Sequence, residues 1–146
     1  MTEVSQFTRI MAIDYGTKRI GLALTDPLIT FAYPYKTILN NSNLWYELEK
    51  IVRDQNVLKI VLGYPLKENG EPSSITNNVL KFKKQLEEKL GLEVLLRDER
   101  YSSSIAKEII NKSITKKSKR RDKSLLDKGS AAIILQDYLN ELGNLS

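Results

Sequence analysis

The chain contains no cysteine and no histidine. That removes a thiolate nucleophile, a disulfide framework, a Cys/His zinc site, a Ser-His-Asp triad and an imidazole general base. Long apolar runs are missing too. The longest, Ala131 to Leu135, is five residues, whereas a membrane-spanning helix needs about 20. The opening Met1-Thr2-Glu3-Val4-Ser5-Gln6 has neither the basic start nor the apolar stretch of a secretory signal. A soluble, cytoplasmic protein without membrane contact is expected. Any catalysis falls to carboxylates, hydroxyls, Lys or Arg, or to a metal held by oxygen ligands.

What is present fits one domain spanning residues 1–146, and a chain of this size buries roughly 70% of the surface its unfolded form exposes. Lys and Arg number 23 against 18 Asp and Glu, a net charge of +5. The excess is concentrated. Residues 112–123 carry Lys112, Lys116, Lys117, Lys119, Arg120, Arg121 and Lys123 against Asp122, a net of +6. A basic segment on a near-neutral body is an electrostatic footprint for a polyanion, although such a run is also what a solvated loop looks like.

Periodicity divides the chain into alternating elements. Arg9 to Asp14 reads as a buried strand, Tyr15 to Arg19 as a turn and Ile20 to Thr25 as a second strand, together a hairpin. Ile29 to Leu39 reads as a third strand, at an edge because Pro34 interrupts it. Leu44, Leu48, Ile51 and Val52 recur at helical spacing over 44–55. A strand over Val57 to Leu62, a loop over 63–72 and a helix from Ser73 to Leu90 follow, with Gly91 ending the helix. Leu92 to Leu96 is the fifth strand, Ser102 to Ile110 a short helix, and Ser124 to Leu142 the last helix. A hairpin meander followed by βαβ crossovers predicts an α/β fold with a mixed five-stranded sheet and helices on its faces. Ligands of such sheets bind beyond the carboxyl ends of the parallel strands.

Three groups of acids stand near element ends. Asp14 closes the first strand and shares a face with Ile10 and Ala12 by period-2 alternation. Gly16 follows it and permits a tight turn, and an Asx turn is the other use for this acid. Asp98 and Glu99 close the fifth strand between Arg97 and Arg100, and alternation allows only one of the two acids to face as Asp14 does. Asp127 sits three residues after Ser124, as in a capping box, yet it also heads the stripe Asp127, Ala131, Leu135, Tyr138, Leu142. Carboxylates that converge repel one another unless a cation lies between them. With neither His nor Cys available, hard oxygen ligands select Mg²⁺ or Mn²⁺. Paired cations roughly 4 Å apart assist phosphodiester cleavage.

Four motifs resemble those of the YqgF family, also called RuvX-like or Holliday-junction-resolvase-like. They are Ala12-Ile13-Asp14-Tyr15-Gly16-Thr17-Lys18-Arg19-Ile20-Gly21-Leu22-Ala23, then Val61-Leu62-Gly63-Tyr64-Pro65-Leu66 with Asn69-Gly70, then Asp98-Glu99-Arg100-Tyr101-Ser102, then Asp127 with Ser130-Ala131-Ala132-Ile133-Ile134-Leu135. Tyr64 stands where the family usually has Leu, and Lys128-Gly129 puts a glycine early in a helix, a modest helix penalty. The resemblance implies a ribonuclease-H-like fold with sheet order 3-2-1-4-5. It implies a nuclease that matures the 5′ end of 16S ribosomal RNA, with Asp14, Glu99 and Asp127 as the metal-binding catalytic acids. It thereby favours Glu99 over Asp98, a choice alternation leaves open. Lys18, Arg19 and Arg100 are candidate phosphate contacts, and Lys116, Lys117, Lys119, Arg120 and Arg121 would grip the RNA backbone without reading sequence.

Three other readings compete. A DNA-junction resolvase should act as a dimer, whereas the RNA nuclease is expected to be a monomer. A nucleic-acid-binding module without catalysis would use the basic segment alone. Asp14-Tyr15-Gly16-Thr17 also resembles the phosphate loop of sugar kinases and actin-like ATPases, but those need two lobes, and 146 residues are too few for both.

Overall fold

The computed structural model describes residues 7–65, 69, 71, 73–98, 108, 110 and 123–145, with backbone alone for 123–128, 144 and 145. The elements are β1 (Arg9–Asp14), β2 (Arg19–Thr25), β3 (Ala32–Leu39), α1 (Leu44–Asp54), β4 (Val57–Tyr64), α2 (Thr76–Leu90), β5 (Glu93–Asp98) and α3 (Lys123–Leu145). Glu108 and Ile110 are helical, and the rest of the helix expected at Ser102 to Ile110 lies outside the described residues. Among the described residues no helix is long and apolar enough to cross a membrane.

The strands form one sheet in the order β3-β2-β1-β4-β5. β1, β2 and β3 are an antiparallel meander, and β1, β4 and β5 are parallel. The expected mixed sheet and its strand order are therefore both present. β1 is central, and its alternation sorts the core into two layers. Met11 and Ile13 join Leu48, Ile51, Val79, Phe82 and Leu86 under α1 and α2. Ile10 and Ala12 join Ala131, Ala132, Ile134, Leu135 and Leu139 under α3.

Element ends depart from the sequence reading where pairing or capping overrides local pattern. β3 starts at Ala32 instead of Ile29 because Asp26 closes a turn ahead of it. One Asp26 oxygen accepts the N–H groups of Thr30 and Phe31 at 2.7 and 2.8 Å, and the other accepts the Thr30 hydroxyl at 2.7 Å. Burial pushes this carboxyl up, but hydrogen bonds from Phe31 and Thr30 outweigh it and hold it below its ordinary value. The turn forces Ile29 to φ 55°, a conformation unfavourable for a β-branched residue. β4 runs through Gly63 to Tyr64 and β5 to Asp98, because Gly63 pairs with Arg97 and Tyr64 with Asp98. α2 begins at Thr76, whose hydroxyl donates to the Pro65 carbonyl at 2.7 Å, and ends at Gly91 with φ 66°. α3 begins at Lys123, so Ser124 falls inside the helix and Asp127 lies in its second turn. The stripe expected on α3 holds at Ala131 and Leu135, while Leu142 is exposed and Leu139 is buried instead.

Candidate active site

Asp14 ends the central strand at the edge where β1, β4 and β5 all present their carboxyl ends. The residues on either side of it face away. Ile13 is fully buried among the side chains under α1 and α2, and Tyr15 packs there too, its ring 4.9 Å from that of Phe82. Strand alternation therefore directs half-buried Asp14 to the side covered by α3, the side of Ile10 and Ala12.

The two neighbouring strands place glycines on either side of this carboxylate. Asp14 pairs with Gly21 of β2. On its other flank Ile13 lies beside Leu62, so the next step of the parallel register sets Gly63 of β4 beside Asp14, with Arg97 of β5 beyond it. Gly21 and Gly63 are both buried. A row Gly21, Asp14, Gly63, Arg97 thus crosses the sheet on one face, and the carboxylate stands between two positions without side chains. A carboxylate is a hard oxygen donor of the kind that suits Mg²⁺ or Mn²⁺.

The β1–β2 turn that follows Asp14 is fixed from two directions. Gly16 packs against the backbone at the start of β2, where a Cβ would intrude on the Arg19 carbonyl oxygen. Asn40, just past β3, donates its side-chain amide to the Gly16 carbonyl and its backbone N–H to the Lys18 carbonyl, each at 2.9 Å. Lys18 and Arg19 are exposed on this turn. A Gly16→Ala chain is expected to lose about 1–3 kcal/mol, the scale of overpacking, read as a lower urea midpoint; an unchanged midpoint would show that the turn yields.

On β5, Arg97 is held by α3. Its Nε and Nη2 donate to Asp137 at 3.2 and 2.8 Å, and Nη1 and Nη2 donate to the two carboxylate oxygens of Glu141, both at 3.0 Å. The hydrogen bond to Glu141, then that to Asp137, raise the Arg97 guanidinium above its ordinary value against the opposing effect of burial. Its flanking position beside Asp98 and Glu99 in sequence does not decide its partners, which lie on α3. Arg97 also fixes the phase of β5. Val94 packs under α1 and α2, so even positions, Asp98 included, belong to the face away from Asp14. Odd positions of β5, Arg97 among them, share the face of Asp14.

Of the expected site residues, Glu99, Arg100, Lys116, Lys117, Lys119, Arg120 and Arg121 lie outside the described residues. Asp127 is described by its backbone in α3. Asp14 thus stands for the acid triad by itself, and among the described residues no three acids gather closely enough to hold a metal. The Arg97 cluster and Asn40 were not singled out from sequence. Asp137 and Glu141 are four apart on one helix, and like charges at that spacing repel, which signals a cation between them.

Comparison with known proteins adds descent. A family model described as "RuvX: Holliday junction resolvase" matches residues 8–141. A protein of Salinibacter ruber is 38% identical over 145 residues, covering 98% of this chain and 100% of that one. One of Amoebophilus asiaticus is 40% identical over 133 residues, covering 90% and 94%. Both carry the name "Putative pre-16S rRNA nuclease". Among solved structures, Thermus thermophilus RuvC bound to a Holliday junction superposes with a TM-score of 0.57 at 12% identity, covering 92% of this chain and 96% of that chain. The fowlpox virus resolvase gives 0.57 at 14%, covering 92% and 99%. The fold is that of the ribonuclease-H-like resolvases, and the chain belongs to the RuvX family.

Proposed function

We propose that this chain is a divalent-metal-dependent nuclease that hydrolyses phosphodiester bonds in RNA during 5′-end processing of pre-16S ribosomal RNA. The observation that carries the reading is Asp14 on the α3 face at the carboxyl edge of the central strand, flanked by two buried glycines. The names of relatives at 38–40% identity direct the substrate to RNA. Asp14, Glu99 and Asp127 would hold Mg²⁺ or Mn²⁺, with two cations in the site. Bound there, the cations supply charge neutralisation and Lewis acidity for phosphodiester hydrolysis.

The chain's own residues do the rest. Asp14 fixes the place of cleavage to the rigid centre of the sheet. Lys18 and Arg19, exposed on the turn that Asn40 and Gly16 shape, meet neighbouring phosphates. Arg100 and the basic residues Lys116, Lys117, Lys119, Arg120 and Arg121 hold the strand through its charge and read no base. The protein acts in the cytoplasm as a monomer.

The test is incubation of the chain with a 5′-extended 16S precursor fragment in Mg²⁺, Mn²⁺ or chelator, beside an Asp127→Asn variant and a four-way DNA junction. Cleavage of the RNA is expected with either metal, and none with chelator or with the variant. The family description favours a second reading, a DNA-junction resolvase. Preferential cutting of the junction by a dimer would establish it and end the RNA assignment.

A further inference from the structure

The edge of the sheet opposite Asp14 carries a second surface. β1 enters there at Arg9 and reaches Asp14 at its other end, roughly 16–17 Å away. Phe7, Arg9, Pro27, Asp54, Gln55 and Asn56 line a cavity of about 210 Å³ at this edge. Phe7 is 52% exposed, and Leu28 and Phe31, on the turn that contains Pro27, are 69% and 52% exposed. Hydrogen bonds from Leu28, Thr30 and Phe31 to the Asp26 carboxylate hold that turn, so its apolar side chains are displayed from a fixed backbone.

The charges around the cavity leave one cation. Asp54 is paired with Lys50 at 2.7 Å, and the oxygens of Asp26 are taken by its own turn. Half-buried Arg9 donates from Nη1 alone, to the Thr25 carbonyl at 2.9 Å and the Tyr33 hydroxyl at 3.0 Å. Among the described residues no carboxylate pairs with it, and its Nε and Nη2, the edge that forks onto a carboxylate, are bonded to no protein group. A guanidinium beside exposed aromatic rings is the composition found at the centre of protein interfaces.

Three observations narrow the occupant. The cavity is smaller than the roughly 300–1,000 Å³ of small-molecule sites, so it takes a side chain or two and not a whole nucleotide. A nucleic-acid strand is held by a run of cations, whereas here the cation is single, with Asp54 in the wall and Asp26 next to Pro27. A chain-terminal carboxylate is captured by backbone N–H groups, but those of Arg9, Gln55 and Asn56 already go to the carbonyls of Asn56, Ile51 and Arg53, and Pro27 has none.

We propose that this face is a docking site for a partner protein, entered by a segment in which an Asp or Glu lies beside a large apolar residue. The carboxylate forks onto Arg9, the apolar side chain packs on Phe7 and Pro27, and Leu28 and Phe31 extend the contact. The partner binds at the far edge from Asp14 and leaves the carboxyl ends of β1, β4 and β5 clear. The inference stands apart from the nuclease reading.

The probe is a library of random octapeptides, acetylated and amidated at their ends, screened on the full-length chain. Bound peptides are expected to carry an Asp or Glu adjacent to a Leu, Ile, Phe or Trp, and to move the amide NMR signals of Phe7, Arg9, Gln55 and Asn56. Replacing the peptide's acid by its amide, or Arg9 by Gln in the protein, is expected to weaken binding about 10–100-fold, the range of a charge-assisted hydrogen bond. Phe7→Ser is expected to weaken it about 5–30-fold. Circular dichroism verifies that each chain is folded, and the peptide's own acid-to-amide change tests the charge pair should Arg9→Gln unfold. No bound peptide, bound peptides without an acid, or equal binding by the variants overturns the proposal. Binding that requires a free C-terminus overturns it too, as does an oligouridylate that moves the same signals more than any peptide.

Discussion

An Asp14→Asn chain is expected to fold, to retain RNA, and to cut it about 10²–10³-fold more slowly, the scale on which loss of one group stabilising transition-state charge operates. The substitution is isosteric and lies at a strand end whose neighbours on both sides, Gly21 and Gly63, have no side chain to repack. Melting without metal reads what the fold itself loses. Metal should reveal it. At a cation concentration 100 times the wild-type Kd, the ligand linkage stabilises the wild type by about 2.7 kcal/mol, and the variant should gain almost nothing. Melting with and without Mg²⁺, set beside cleavage, separates loss of the site from loss of the fold. A variant that gains as much from Mg²⁺ as the wild type, or cleaves as fast, would remove Asp14 from the chemistry.

The residues that define this site differ in how far the sequence announces them. The face of Asp14 is legible because alternation is local: Ile10 and Ala12 on one side, Met11 and Ile13 on the other, each where the pleat puts it. The amphipathic faces of α1 and α2 are legible for the same reason, as Leu48, Val79, Phe82 and Leu86 show. The strand order came from resemblance, since pairing across crossovers has no local signature. The sequence ends the fourth strand at Leu62 because Gly63-Tyr64-Pro65 looks like punctuation, whereas pairing with β5 carries the strand through Gly63 to Tyr64. β3 was begun too early because Leu28-Ile29-Thr30-Phe31 has strand composition, and only the fourfold hydrogen bonding of Asp26 turns it into a loop. On α3 two polar residues are buried with no local signal. Gln136 is buried because its side-chain oxygen accepts the Ala32 N–H at 2.9 Å, and Asp137 because Arg97 reaches it from 40 residues away in sequence. Contacts of that range are the part of a site that spacing cannot encode.

Substitution of Arg97 by itself is expected to destabilise the fold strongly. Arg97→Met keeps an apolar stem and removes the charge, taking from buried Asp137 the guanidinium bound to it at 2.8 Å. Breaking a buried pair from one side costs about 3–5 kcal/mol. Glu141, the outer partner, is 59% exposed and returns to water at little cost, so the expected loss is near the lower end, about 3 kcal/mol. The companion change separates charge burial from packing. With Asp137→Asn added, the buried charge is gone and most of the loss should be recovered, although Asp137→Asn alone weakens the cluster. Acidity gives an independent check of sign. The Arg97 hydrogen bond, then its charge, hold the Glu141 carboxyl below its ordinary range. Its folded value lies below the unfolded one, so its contribution is present above the unfolded value and lost as pH falls through the folded value. The wild type should therefore shed part of its advantage over Arg97→Met on acidification, while Arg97 stays protonated throughout. Urea unfolding of the single and double variants at neutral and acidic pH measures all of this. A single variant as stable as the wild type, or a gap that widens in acid, would mean that the cluster contributes nothing to holding α3 against β5.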